Sequence, residues 1–401
     1  MKTEIKQRIE QIRRGEVPER YVKTALGLAP ANWKRYTFGD IYTERKEPGD
    51  ENLPLLMVSI HSGVSDGEVD AAELPKQVKR IEDKSQYKKA VSGDLVFNMM
   101  RAWQGAIGTV RTTGMVSPAY IVAEPNDKAY PLFMDYYSRT PQMINQIDRQ
   151  SYGVTDFRKR LYWDSFAPIS CTLPPIEEQQ KIATILTTQD RVIELKEKQL
   201  AEKQRQKKYL MQQLLTGKKR LPGFLKSWKT VELGEIFNYI QPTAYLVKTT
   251  DYDDSYKTPV LTAGKTFILG YTNETEGVFT KVPVVIFDDF TTATKYVDFP
   301  FKVKSSAMKI LTIKDGLSIV FAYEAMQLIK FTVGGHERHW ISKYSCLTID
   351  IPDIEEQTAI AEVLSAADRE IKLLQQDIEQ EKQKKKALMQ LLLTGIVRVK
   401  T

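Results

Sequence analysis

The 401-residue chain reads as an α+β protein. It is expected to hold two α+β globules separated by two long helices that pack on each other as a coiled coil, the whole a pseudo-twofold internal repeat. Three observations predict this. Residues 176–217 lie on residues 354–395 with a constant offset of 178 and no gap, and about 20 of the roughly 42 positions are identical; a match of that length marks an internal duplication. Neither copy contains a Gly or Pro before Gly217 or Gly395, and apolar residues recur at heptad spacing in both. Ahead of each copy stands a segment of about 130–140 residues with strand-like apolar runs and turn signals such as Ser62-Gly63 and Thr113-Gly114.

In chain order, residues 1–30 are expected as an N-terminal helical segment and 31–172 as the first globule. Residues 173–220 form the central long helix, 221–350 the second globule and 351–401 the C-terminal long helix. In the globules, residues 94–98 and 284–288 have the apolar runs of buried strands, and 116–122 and 305–311 those of later strands around Ala119 and Ala307. Trp33-Lys34 and Gly39-Asp40-Ile41 are echoed by Trp228-Lys229 and Gly234-Glu235-Ile236, and Tyr162-Trp163 by His339-Trp340. Pro174 and Pro352 stop the strand before each helix, and Glu177-Glu178 and Glu355-Glu356 fill its first turn, where the helix dipole favours anions. The seam runs Ile360, Leu364, Ala367, Ile371, Leu374, Ile378 in the second copy. In the first it runs Ile182, Leu186, Ile193, Leu200, interrupted by Gln189 and Lys196. It then turns polar at Lys203, Lys207, Glu381 and Lys385 before leucines resume it. About 40 residues at ~1.5 Å each make a helix roughly 60 Å long.

Composition sets bounds on the chemistry. No apolar run approaches the roughly 20 residues that span a bilayer, and the first residues lack the apolar segment of a signal peptide. With only two cysteines, Cys171 and Cys346, both expected as buried reduced thiols, the expected compartment is the cytoplasm. A net charge of +7 suits a polyanionic partner. No metal site is expected: His61, His336 and His339 form no cluster with either cysteine. No methyltransferase or nuclease motif is found. Ala263-Gly264-Lys265-Thr266 imitates the end of a phosphate loop, but Pro259 stands where its first glycine is needed. No catalytic residue and no cofactor is expected.

Leu173-Pro174-Pro175-Ile176-Glu177-Glu178-Gln179 and Ile351-Pro352-Asp353-Ile354-Glu355-Glu356-Gln357, with Leu214-Leu215-Thr216-Gly217 and Leu392-Leu393-Thr394-Gly395 closing each helix, carry a family resemblance. With these motifs twice in one chain, the whole chain resembles the specificity subunit of Type I restriction–modification systems; Asp353 in place of a second proline is a minor departure. The resemblance implies two target-recognition domains, each reading half of a split double-stranded DNA site. It implies an antiparallel coiled coil that spaces them and docks two methyltransferase subunits, with motor–nuclease subunits completing the complex. S-adenosylmethionine, ATP and magnesium belong to those partners. A recognition subunit of a related system that cuts beside its site is the alternative, and the base sequence read is not legible.

Base reading needs paired donors at base edges and cations on phosphates. In the first globule, Arg101 and Gln104 flank Trp103 beside a glycine turn. Tyr152, Thr155, Arg158, Lys159 and Arg160 form a polar basic run, and Lys88 and Lys89 are candidate phosphate contacts. In the second globule the candidates are Thr292, Thr294 and Lys295 after a strand, Lys302 and Lys304 along the backbone, and His336, Arg338 and His339 beside two glycines.

Overall fold

The computed structural model describes residues 3–24, 27–65, 86–153, 155, 158–263, 266–332 and 338–399. The chain divides into two compact units, residues 1–195 with 378–401, and residues 196–377. Two helices dominate it, Ile176–Leu214 and Ile354–Leu393, and each contributes one half to each unit. Among the described residues, no helix is long and apolar enough to cross a membrane.

The first unit is built on a four-stranded antiparallel sheet in the order Tyr42–Glu44, Tyr120–Pro125, Leu95–Asn98, Ile107–Thr109. Leu95–Asn98 is buried at every position, as expected of a strand covered on both faces. Because successive side chains point to opposite faces, Leu95 and Phe97 enter one core with Phe38, Phe133 and Phe166, and Val96 enters another with Val116 and Val122. The first core is closed by Ile182, Ala183 and Leu186 of the central helix and Leu392 and Leu393 of the C-terminal one.

The second unit repeats the plan. Its sheet runs Phe237–Ile240, Met308–Ile313, Val284–Asp288, Thr294–Val297. Val285 and Phe287 face one core, closed by Leu214, Ile360 and Leu364, while Val284 and Ile286 face the other. A three-stranded sheet of Ile268–Thr272, Thr258–Leu261 and Lys302–Val303 is added here. In both units a two-stranded ladder leads into the long helix: Lys34–Thr37 with Ser170–Leu173, and Lys229–Glu232 with Thr348–Ile351.

Three expectations need correction. The N-terminal segment is helical only over Thr3–Arg13 and then forms a hairpin of Tyr21–Thr24 and Gly27–Pro30, tied by Tyr21 Oη to the Gly395 carbonyl at 2.7 Å. Residues 116–122 are not one strand, because a turn containing Pro118, which has no N–H for a ladder, separates Gly114–Val116 from Tyr120–Pro125. Cys171 is buried, its thiol pushed up to about 12 by desolvation, but Cys346 is exposed. It ends the 3-10 turn Tyr344–Cys346, which gives its buried position to Tyr344.

The polar interruptions of the heptad seam are cross-helix contacts. In the first unit Gln189 Nε2 donates to Glu381 at 2.7 Å, and Lys385 pairs with Asp190. In the second, Lys196 meets Asp377 at 2.6 Å, and Lys203 meets Glu370 and Lys207 meets Asp368 at 2.7 Å. In the second unit the partner numbers fall from 377 through 370 to 368 as the central helix advances from 196 through 203 to 207, so the helices are antiparallel there.

The Glu-Glu-Gln motif does more than start a helix. Glu177 is exposed, but Glu178 is buried. It takes a bidentate pair from Arg398 at 2.6 and 2.7 Å and a bond from Trp33 Nε1 at 3.3 Å. In the second unit Glu356 is held by Arg220 at 2.6 Å twice and by Trp228 Nε1 at 3.1 Å. Gln179 accepts from Tyr130 N at 2.8 Å and Gln357 from Ser318 N at 3.0 Å, fixing in each unit the start of a short helix, Pro131–Tyr137 or Ile319–Met326.

Those short helices differ where they meet the coil. Tyr136 donates its hydroxyl to Asp190 at 2.6 Å, whereas Glu324 stands at the corresponding place with Lys207 and Asp368. Burial raises the Glu324 carboxyl above its ordinary 4.5; Lys207 opposes the rise and Asp368 adds to it. The folded state thus holds this proton more tightly than the unfolded chain. The stability it contributes is full below the ordinary carboxyl range and is lost as pH climbs above it. Glu324→Gln is expected to raise the thermal midpoint at neutral pH by a few degrees and to flatten its fall between pH ~4.5 and neutrality. Calorimetry across that range checks it, and an unchanged pH profile counts against it.

Candidate nucleic-acid interface

In the first unit the chain leaves Leu95–Asn98 through the 3-10 turn Ala102–Gln104, ended by Gly105 at φ 104°. That left-handed angle is what glycine permits. Ala102 is buried, Trp103 is half-buried with its indole N–H on the Met100 carbonyl at 3.1 Å, and Arg101 and Gln104 are exposed. The basic run folds back on this turn. Tyr152 and Arg160 form an antiparallel bridge, and a Cβ at Gly153 would lie 2.5 Å from the Arg158 carbonyl, so the return needs glycine. Lys159 Nζ sits 4.9 Å over the Trp103 ring and 2.8 Å from Asp148.

Two clusters far apart in sequence thereby become one surface, with Arg101, Gln104, Tyr152, Thr155 and Arg158 exposed around Trp103. Arg160 is half-buried, its guanidinium on the Lys159 carbonyl at 2.9 Å. Lys88 and Lys89 are used differently from the expectation. Lys88 Nζ donates to the Tyr120 carbonyl at 2.8 Å, and desolvation lowers its pKa. Lys89 pairs with Glu47 at 3.0 Å. Both ammonium groups serve the strand edge they sit on.

In the second unit, Val284–Asp288 leads into a turn in which Asp288 accepts from Phe290 N at 3.2 Å and from the Thr291 hydroxyl, and Thr292 adopts φ 59°. Thr294 accepts from Gln327 at 2.7 Å, and Lys295 is exposed. The Asp289 carbonyl receives His339 N–H at 3.0 Å and its carboxylate Trp340 N–H at 2.9 Å, which sets the segment with exposed Arg338 beside this turn. His336 lies outside the described residues.

Two expectations fail on burial. Lys302 is 1% exposed, paired with Glu274 at 2.9 Å and bonded to the Glu276 carbonyl at 2.6 Å, so it holds the added sheet and cannot reach a phosphate. His339 is fully buried, edge-on to Phe331. Lys304 stays exposed, 6.0 Å over Tyr252. Sequence reading missed Lys309, fully buried under Tyr239 and Gln241. The signal was there: a lysine at a fully buried register position of an apolar strand. Among the described residues, no group of three or more His, Cys, Asp or Glu could hold a metal.

A family model described as the Type I restriction modification DNA specificity domain matches residues 72–203 and again residues 226–383, together more than half of the chain. The chain belongs to the Type I restriction–modification specificity-subunit family. Each matched segment of the specificity subunit contains one of the two surfaces above. The specificity subunit of the Type I restriction enzyme EcoR124I/EcoR124II of Escherichia coli is 55% identical over 140 residues, a match spanning 33% of this chain and only 34% of that protein. The MjaVIII specificity subunit of Methanocaldococcus jannaschii is 26% identical over 361 residues, 79% of this chain and 83% of that one. The fold is shared with the S subunit of a Type I restriction–modification system from M. genitalium, at a TM-score of 0.63 and 12% identity, over 92% of this chain and 97% of that one. A chain from a structure of the assembly and conformational transition of a type I system matches at a TM-score of 0.52 and 18% identity, over 92% and 99%.

Proposed function

We propose that this specificity subunit reads a bipartite double-stranded DNA target, one half with each unit, and carries no catalytic centre of its own. The observation that carries this is the repeated plan. The same four-stranded sheet occurs twice, and at the same strand end, after Asn98 or Asp288, each copy opens a turn that meets a basic segment arriving just before the long helix. In the first unit Arg101, Gln104, Tyr152, Thr155 and Arg158 supply base-edge and phosphate contacts; in the second, Thr292, Lys295, Arg338 and Lys304 do so. The paired helices set the gap between half-sites, and their outward Leu195, Tyr209 and Leu373 dock two methyltransferase subunits. Motor–nuclease subunits complete the restriction complex, and the cofactors of methylation and translocation belong to those partners.

Exchanging residues 33–170 for the corresponding stretch of another family member tests the reading. The hybrid is expected to change one half-site of the methylated motif completely and leave the other as it was. Change or loss of both halves in an active complex would show that the units are not independent readers.

A further inference from the structure

The two units match at their strand ends bond for bond, which makes individual positions comparable. Met99 N–H donates to the Ala119 carbonyl at 3.0 Å, and Asp289 N–H to the Ala307 carbonyl at 3.0 Å. Leu161 N–H donates to the Met99 carbonyl at 2.9 Å, and His339 N–H to the Asp289 carbonyl at 3.0 Å. Across the central ladder Ile121 faces Phe97, and Lys309 faces Phe287. Three positions that are Met99, Leu161 and Ile121 in the first unit are therefore Asp289, His339 and Lys309 in the second, all three buried.

The fold does not require this polarity, since the first unit makes the same backbone connection with apolar side chains. Taking ionisable groups out of water is unfavourable unless they are paired, and replacing a buried ion pair by apolar residues is often neutral or stabilising. Desolvation lowers the Lys309 pKa, with Asp289 opposing and Arg338 adding to the fall. The His339 ring nitrogens have no hydrogen-bond partner among the described residues.

The cluster organises the surface above it. Lys309 Nζ donates to Gln241 Oε1 at 3.0 Å and to the Ser306 carbonyl at 2.7 Å, lies 3.8 Å from Asp289, and sits 5.6 Å over the Tyr239 ring. An ammonium only donates, so it fixes the exposed Gln241 amide with its oxygen inward. One amide hydrogen goes to Tyr239 Oη at 2.9 Å. Because Gln241 is exposed, the other amide hydrogen is the donor it can offer to an acceptor on a base edge in the major groove.

We propose that Lys309 and Asp289 are specificity-determining positioning residues of the second unit, holding Gln241 to donate to a base and the segment of Arg338 beside it. This rests on the reading of the second unit as a half-site reader. The test uses the whole chain assembled with its methyltransferase subunits, scoring the methylated motif and binding to a library varied in each half-site. Gln241→Ala is expected to lose roughly tenfold discrimination at one position of the second half-site, with the first half-site unchanged. The triple variant Asp289→Met, Lys309→Ile, His339→Leu gives the second unit the first unit's residues. It is expected to hold or raise the midpoint while losing the same discrimination, a combination that a merely structural role would not produce. Should the triple variant fail to assemble, Gln241→Ala decides alone. Full discrimination in Gln241→Ala or in a folded triple variant overturns the proposal. A wild-type complex without a bipartite motif would instead overturn the reading beneath it.

Discussion

Arg398→Met is expected to destabilise the first unit by about 2–4 kcal/mol, although the residue lies three positions from the end of the chain. Its guanidinium makes both bonds to the Glu178 carboxylate, which is 1% exposed. Without it, Trp33 Nε1 is the one donor described on that carboxylate. Stranding one member of a fully buried pair costs about 3–5 kcal/mol; the figure here is lower because water still reaches part of Arg398. At about 2–4 °C per kcal/mol for a unit of this size, the midpoint should fall by roughly 5–15 °C. Adding Glu178→Gln should recover most of the loss, since a neutral amide oxygen can still accept from Trp33. Calorimetry of the single and double variants checks both points. A single variant as stable as the wild type would mean that Glu178 is not held by Arg398.

The second large effect concerns the gap between half-sites. Lys203 pairs with Glu370 across the coil, so four residues inserted after each keep the seam in register, whereas an insertion in one helix alone would slide it. Four residues add ~6 Å of helix, and antiparallel pairs absorb such a stutter by local unwinding. At ~3.4 Å per base pair, the unspecified spacer of the methylated motif should grow by one or two base pairs, with both half-sites unchanged. An unchanged spacer in an active complex would rule out the coil as the spacing element. A changed half-site would place some of the reading outside the two globules.

Much of this protein was legible before any coordinates. Glycine, proline and heptad spacing are local and directional, and they delimited both long helices. The gapless repeat showed that the two halves share one structural plan. Buried strands such as Leu95–Asn98 were visible because a strand covered on both faces must be apolar throughout. Candidate contacts were legible as types of residue, since Arg, Gln and Lys beside glycine are the groups that meet bases and phosphates.

What the sequence could not decide was which polar residues are spent inside the protein. Glu178 and Glu356 looked like dipole partners of a helix start; tertiary structure buries both and supplies an arginine from just beyond the other helix's end. Lys302 looked like a phosphate contact and is an internal ion pair, and Lys309 attracted no notice inside an apolar strand. The reason is physical. Helix and strand patterns arise from neighbours a few residues away, so the sequence by itself determined the repeat, the long helices and the heptad seam along each of them. The availability of a charge depends on the partner that meets it across 28 residues for Lys302 and Glu274, or 220 for Arg398 and Glu178. Only the folded chain decided which cations remained at the surface.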